Sequence, residues 1–407
     1  MAAELSNYNQ ICYNYFPDST ITEKMLPNHY FDYQNSEELL MAQQPYVFAQ
    51  FLSLISRYEF QRIVNKYKGD FHTKTVKCWH QLGCMIFAHI RQEDSLRDID
   101  ITLNTHAKKL YHIEIQQCPK STLADANEKS DYRIYEEFAK SLTQRARREY
   151  TQTELALDVD NVVYALDAST TDLALSLFPW AKFRTTKGAV KLHALIDLKG
   201  NLPAFATITD GKVHDVKAAP LVPIEPEGIY VVDRAYVDFD WLHYIDHQKA
   251  FFVTRLKKSI KWTRVISHPV DKSVGLRSDQ GILLFAKKTK AKYPKRLRRI
   301  SYRDELQNRT LVFLTNNFLL PADTIAALYK ARWEIELFFK WIKQNLEVKI
   351  FYGTSPNVVK TQIWIAMIVY LILAIIKERY RLEPSLSQLL HFVEVNLFEQ
   401  KSLASIF

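Results

Sequence analysis

Tyr329-Lys330-Ala331-Arg332-Trp333-Glu334-Ile335-Glu336-Leu337-Phe338-Phe339-Lys340-Trp341-Ile342-Lys343 is the stretch on which the reading of this chain turns. On a helix advancing about 100° per residue, Arg332, Glu336 and Lys343 fall at roughly −60°, −20° and −40° from Tyr329, so these four polar residues share one narrow stripe. Trp333, Leu337, Trp341, Phe338, Ile342, Ile335, Leu346 and Phe339 fill most of the remaining circumference, which predicts a helix buried on nearly all its other sides. Such a helix keeps a Tyr/Arg/Glu/Lys stripe in order to point it at something. The plain alternative is a surface ion pair between Arg332 and Glu336 at i, i+4.

Upstream, the period changes to that of strands. Asn161 to Asp167 (N-V-V-Y-A-L-D) reads as a strand ending on an acidic residue, and Ala189 to Asp197 as a second. Asp197-Leu198-Lys199-Gly200-Asn201 supplies a tight turn into a third strand, Leu202 to Ile208, so the three form an antiparallel meander. Val213 to Leu221 has a helical pattern. Gly228 to Asp233 (G-I-Y-V-V-D) is a short, continuously apolar run that ends on another aspartate. Runs of this kind suit a strand buried on both faces, placed inside the sheet beside the first. The expected fold class is therefore α/β, a mixed sheet flanked by helices. Strand ends are where such a sheet commonly builds its site, although either Asp167 or Asp233 taken alone could be a turn residue.

Further along, residues 257 to 316 alternate as a β-rich insertion does, for example Thr310-Leu311-Val312-Phe313-Leu314. Between Lys287 and Arg303, nine of seventeen positions are Lys or Arg, with Tyr293 and Tyr302 interleaved. That density suggests a hairpin that tracks phosphates; a solvated charged face is the alternative. The formal charge of +9 over 407 residues favours a polyanionic partner, nucleic acid first. Cys12, Cys78, Cys84 and Cys118 show no C-x-x-C pair, so neither a zinc site nor a disulfide framework is indicated.

The length suggests two or three domains. Residues 1–40 are polar and tyrosine-rich without a period, and a poorly ordered extension is expected there, with Met41 as an alternative start. From Pro45 the pattern is helical, and residues 41–150 are expected to form an all-helical DNA-binding domain. Lys120-Ser121-Thr122, after Pro119, would open one helix whose N-terminus could face DNA phosphates, or be an ordinary capped start. The catalytic domain is expected over 151–407, with the insertion at about 257–316. The apolar run Ile363 to Ile376 is shorter than the roughly 20 residues that span a bilayer, and no charged n-region with an apolar h-region opens the chain. A buried helix in a soluble, cytoplasmic, nucleoid-associated protein with no membrane contact is the expectation.

Asp167, Asp233 and Glu336 thus come from two strands and a helix face, with no His or Cys cluster beside them. All-oxygen ligation suits Mg²⁺ or Mn²⁺, and two such ions about 3.5–4 Å apart can activate an attacking oxygen and stabilise a leaving one at a phosphodiester. Tyr329, Arg332 and Lys343 would hold phosphates of a DNA end, arginine through a bidentate fork and lysine as a point charge. His214 and Asp215 could imitate a catalytic pair, but metal-dependent phosphodiester chemistry has no need of a general-base histidine.

At these residues the chain resembles the DDE transposases of bacterial insertion sequences, specifically insertion-sequence family four. That family's signature, Y-x2-R-x3-E-x6-K, is matched by Tyr329, Arg332, Glu336 and Lys343, behind Leu166-Asp167-Ala168-Ser169-Thr170 and Val232-Asp233-Arg234-Ala235-Tyr236. Lys187 to His193, Gly211 to Asp215 and Ser121 to Glu128 also look like segments of one branch of it. The resemblance implies an RNase H-like core with a β-strand insertion between the second Asp and the Glu, and the spacing of 336 − 233 = 103 positions leaves room for it. It further implies that Asp167, Asp233 and Glu336 are catalytic metal ligands, for two Mg²⁺ ions with Mn²⁺ able to substitute. Tyr329, Arg332 and Lys343 would be DNA-binding residues. The implied activity is cleavage at the terminal inverted repeats and joining of the 3′ ends to target DNA, by a homodimer on double-stranded DNA. Several members pass through a hairpin intermediate and flip a base onto an aromatic of the insertion; Trp262 is the candidate, although no motif surrounds it. Two alternatives remain: a catalytically inactive DNA-binding protein, and an RNase H-like nuclease without joining activity.

Overall fold

The computed structural model describes residues 45–152, 157, 159–183, 187–305, 307–346 and 350–407. The extension expected over residues 1–40 lies outside them. Residues 45–407 form one compact unit.

The chain begins with helices, as its period predicts: α1 (Val47–Ser53), α2 (Arg57–Lys66), α3 (Cys78–Arg91), α4 (Leu96–Thr105), α5 (Ala107–Leu110), α6 (Lys120–Lys129) and α7 (Tyr132–Glu149). Their starts are chemically marked. Ser56 accepts from the Glu59 amide at 3.3 Å, Ser95 from the Asp98 amide at 3.2 Å and Asp131 from the Arg133 amide at 2.9 Å, each satisfying a helix donor that has no partner within the helix. α6 does start at Lys120, where its first amide donates to Asp100 at 3.0 Å. Inside, Tyr135 donates to Gln81 at 2.7 Å and Gln81 to Asn127 at 2.8 Å, a buried polar chain joining α7, α3 and α6.

The sheet follows. β1 (Val163–Leu173), β2 (Gly188–Asp197) and β3 (Leu202–Asp210) form the antiparallel meander, turned at Gly200 and Asn201, both at positive φ. Only a short linking segment, with helix α8 (Asp215–Ala218), separates the meander from β4 (Ile229–Val232), which pairs parallel to β1 with Leu166 opposite Val232. After α9 (Phe239–His247), β5 (Phe251–Arg255) pairs parallel to β4. The order 3-2-1-4-5, with the meander antiparallel and β4 and β5 parallel to β1, is the RNase H-like arrangement.

The β-rich insertion is present and continues this same sheet. β6 (Trp262–His268), β7 (Leu276–Leu284), β8 (Leu297–Asp304) and β9 (Arg309–Thr315) are antiparallel neighbours, with helix α10 (Lys287–Lys292) between β7 and β8, and β9 pairs with β5. The result is one nine-stranded sheet, ordered β3-β2-β1-β4-β5-β9-β8-β7-β6.

Three expectations need correction. β1 does not end at Asp167: it runs on to Leu173 because β2 stays paired with it that far, while β4 stops at Val232. The basic run 287–303 is a short helix followed by a strand, and several of its cations are held by the protein itself. Arg298 is buried on Asp279 at 2.7 Å, Lys292 pairs with Asp240, Lys295 pairs with Asp246, and Arg299 stacks at 4.8 Å on Trp262. The signature stretch is two helices, α11 (Ala322–Ala331) and α12 (Trp333–Asn345), because the ladder tightens to i→i−3 bonds on both sides of Arg332. α12 is also less buried than its composition suggested, with Trp333 56% and Leu337 42% exposed.

α13 (Pro356–Arg379) is long and apolar enough to cross a bilayer by length and composition, beyond the shorter run read from sequence, but it is buried here as the central core helix. α14 (Leu386–Asn396), opened by a Ser385/Gln388 capping box, packs beside it. One continuous apolar core joins α3, α7, α13 and the inner face of the sheet. The buried His89 of α3 places its ring nitrogens 2.8 Å from the Leu346 carbonyl and 3.1 Å from that of Gln362, which pins the helical region to the sheet-bearing one.

Candidate active site

Register assembles the site. Because Leu166 and Val232 are the last paired residues of the parallel β1/β4 ladder, Asp167 and Asp233 emerge side by side where β4 stops. Asp167 keeps one oxygen on the Ala168 amide at 2.8 Å. Asp233 caps the turn that follows it, accepting from the Ala235 amide at 3.0 Å. Each carboxylate is thereby oriented by its own backbone, with the second oxygen turned to α11 and α12.

The polar stripe on those helices does face this edge. Arg332 donates through Nη1 to Asp167 Oδ2 at 2.6 Å and through Nη2 to Glu336 Oε1 at 2.6 Å. The Tyr329 hydroxyl donates to Asp233 Oδ2 at 3.5 Å. Lys343 lies farther along β1, donating to the Thr170 carbonyl at 2.6 Å. Five of the six expected residues thus form one contact network, and Lys343 sits at its flank. The surface-pair alternative is excluded for Arg332, whose side chain is only 13% exposed and bridges to a different element.

Two further residues join the site: Arg255, which had no sequence signal, and Tyr236, the last residue of the Val232 to Tyr236 segment. Arg255, the last residue of β5, brings Nη2 to 3.7 Å from Asp233 and stands 5.8 Å from the Tyr329 ring, on which Arg332 also stacks at 5.8 Å. Tyr236 is fully buried beside the aspartates with a hydroxyl that has no partner. Tyr236 follows β4, the neighbour of β1, so the strand-end logic applied to the aspartates extends to it, whereas Arg255 ends β5, one strand farther out, and is brought in only by the β4/β5 pairing.

Burial raises the Asp167 pKa, opposed by the Ala168 amide and the Arg332 charge and reinforced by Asp233 and Glu336. Burial works against the Arg332 charge, but Asp167, Tyr329 and Glu336 outweigh it and hold the guanidinium protonated. Burial likewise raises the Tyr329 phenol and strongly raises that of Tyr236. Nearby, Asp215 is taken by Lys191 at 3.0 Å, and His193 bonds Thr209 at 3.0 Å, so Asp215 does not form a catalytic pair with His214. Trp262 is half-buried at the start of β6, with the Arg299 guanidinium 4.8 Å from its ring centroid.

Three carboxylates with no nitrogen or sulfur donor fit a hard divalent cation in chemistry. In spacing they are arranged around arginines: among the described residues no three His, Cys, Asp or Glu side chains are gathered as a metal cage.

An RNase H-like sheet with a pair of strand-edge aspartates and a glutamate on the packed helix defines the class of metal-dependent enzymes that act on nucleic-acid phosphodiesters. Residues 160–372 match the family described as the Transposase DDE domain, and the chain belongs to that family: it is a DDE transposase. Residues 43–116 match a second family, described only as a domain of unknown function (DUF4372). The chain is 32% identical over 291 residues to y4zB of Sinorhizobium fredii, which carries a transposase name, covering 70% of this chain and 79% of that protein. A protein of Geobacillus stearothermophilus named as a transposase for insertion sequence element IS5377 is 29% identical, over 58% of this chain and 62% of its own length. Among solved structures, the piggyBac transposase in its synaptic complex with hairpin DNA is similar with a TM-score of 0.42 and 11% identity, over 90% of this chain and 80% of that one.

Proposed function

We propose that this transposase belongs to insertion-sequence family four, binds the terminal inverted repeats of its own element as a homodimer, cleaves the DNA at the element ends and joins the 3′ ends to target DNA. The observation that carries this is the register of β1 against β4, which sets Asp167 beside Asp233 and opposite Glu336. The three carboxylates are the ligands for two Mg²⁺ ions, with Mn²⁺ able to substitute. When bound, such ions activate the attacking oxygen and stabilise the leaving one at the phosphodiester. The chain's own residues do the positioning: the Ala168 and Ala235 amides orient the aspartates, Tyr329 and Arg332 meet the DNA end, and Lys343 holds phosphate farther along β1.

The helical region supplies the second DNA contact. A cavity of about 690 Å³ opens between α2, the start of α3 and the segment after α5, lined by Arg57, Lys74, Lys77, His80 and His112. Its one acid, Glu114, is already paired with Arg57, which leaves a basic cleft suited to a phosphate backbone.

The test uses DNA carrying the element's own ends. Asp233→Asn and Glu336→Gln should each abolish Mg²⁺-dependent strand cleavage while end binding in a gel-shift assay stays within about twofold, and cleavage retained by either variant refutes the assignment. Incubating pre-cut ends with target DNA reads joining directly, and ends that are cut but never joined reduce the protein to a nuclease.

A further inference from the structure

The carboxylates of this site are held by two guanidiniums, one of them outside the signature. Arg332 spends its two terminal nitrogens on two different acids, Asp167 and Glu336, both at 2.6 Å. Arg255 reaches the third, Asp233, at 3.7 Å. The two arginines stand against the Tyr329 ring, each 5.8 Å from its centroid. Both also keep a buried Nε without a hydrogen-bond partner, so each fork is short of an acceptor where it stands.

Arginine cannot release a carboxylate by losing its proton; it has to move. A DNA phosphate is the acceptor that would move it, since its oxygens match the guanidinium fork as well as a carboxylate does. Resting on the proposed assignment of the three acids as metal ligands, we propose that Arg255 and Arg332 form a latch on the acidic triad. The phosphate of a DNA end draws the arginines off, and only then are the carboxylates free to gather around divalent cations. Arg255 is thereby a positioning residue of the reaction. Metal affinity and DNA-end affinity are linked through the latch, and each ligand raises the affinity of the other by the same factor.

The experiment is Mn²⁺ binding to the full chain, followed by electron paramagnetic resonance of free Mn²⁺, with and without a duplex of the element's terminal sequence. Wild type should bind Mn²⁺ weakly alone and more tightly with the duplex, by a factor within the range of about five to 150 that couplings between sites span. Arg255→Gln and Arg332→Gln should each bind Mn²⁺ more tightly than wild type without DNA and gain less from the duplex. Arg332→Lys, which keeps the charge but cannot bridge two acids, should fall between. Circular dichroism establishes that each variant is folded, and if Arg332→Gln does not fold, the more exposed Arg255→Gln carries the comparison. Folded variants that bind Mn²⁺ no better than wild type, while Asp233→Asn loses binding, overturn the latch and leave the metal-ligand assignment standing. Mn²⁺ binding unchanged in Asp233→Asn overturns that assignment instead.

Discussion

Asp279→Ala is the perturbation that separates a structural role for the basic segment from a DNA-tracking one. Arg298 of β8 and Asp279 of β7 meet diagonally across the ladder, with side chains 8% and 6% exposed, joined by bonds of 3.0 and 2.7 Å. Removing the acid strands a buried guanidinium, which costs roughly 3–5 kcal/mol where a pair is broken from one side. Here Arg298 would keep its bonds to the Leu320 carbonyl at 2.6 Å and the Asn317 carbonyl at 3.3 Å, so the lower end, about 3 kcal/mol, is expected. Replacing both partners by apolar residues, Arg298→Met with Asp279→Leu, should recover most of that loss, because no charge is left buried. The assay is the urea midpoint at constant m value. The second readout is the salt dependence of DNA binding. A lost phosphate contact lowers the slope of log K against log salt by about 0.9, so Arg298→Met should leave the slope unchanged. A cost below about 1 kcal/mol for Asp279→Ala, or a slope that falls by about one unit in Arg298→Met, would refute the assignment of this arginine to the sheet.

Two further outcomes follow from the helical region and the buried imidazoles. Lys74→Ala with Lys77→Ala should weaken DNA binding alike for all sequences and lower the salt slope by about 1–2, measured by fluorescence anisotropy at several salt concentrations; an unchanged slope removes the cleft from the interface. Burial lowers the pKa of His89 and of His193 to about 4 in each case. A depressed folded pKa means that the unfolded chain takes up protons first, so the stability held by these groups is complete above about pH 6.5 and is lost as pH falls toward 4. For His89 the difference of about 2.5 pKa units corresponds to roughly 3 kcal/mol. Urea unfolding at pH 7.5 and 4.5 reads it, and His89→Gln should flatten that part of the pH dependence.

The sheet was legible because its signals are local. Alternation marked β1 to β3, the tight turn at Gly200-Asn201 forced an antiparallel pairing, and the uninterrupted apolarity of Ile229 to Val232 announced a strand covered on both faces. The site was legible for the same reason: each aspartate follows an apolar run, and the stripe of Tyr329, Arg332, Glu336 and Lys343 depends only on helical spacing. What escaped depends on contacts far apart in sequence. Nothing local says that β1 continues past Asp167, since that is decided by β2 staying paired when β4 does not. The charge of the 287–303 run was plain, but Asp240, Asp246 and Asp279, which take up three of its cations, lie on other elements. Arg255 carried no pattern because only the β4/β5 pairing brings it beside Asp233.

Distant contacts also tie the helical region to the sheet-bearing one. Lys77 and His80, which line the basic cleft, stand at the start of α3, and His89 stands near its end. About two and a half helical turns, or about 14 Å at 1.5 Å per residue, separate His80 from His89. The His89 ring sits on the carbonyl of Leu346, the residue that closes α12, the helix carrying Glu336. The same ring meets Gln362 of the central helix α13, whose side chain in turn bonds the backbone at Ile350 and Tyr352 beyond α12. α3, buried over most of its length, therefore joins the residues that line the cleft to the segment closing the helix that carries Glu336, through hydrogen bonds rather than a linker. Asp167 and Asp233 are anchored instead in the sheet, through the β1/β4 ladder.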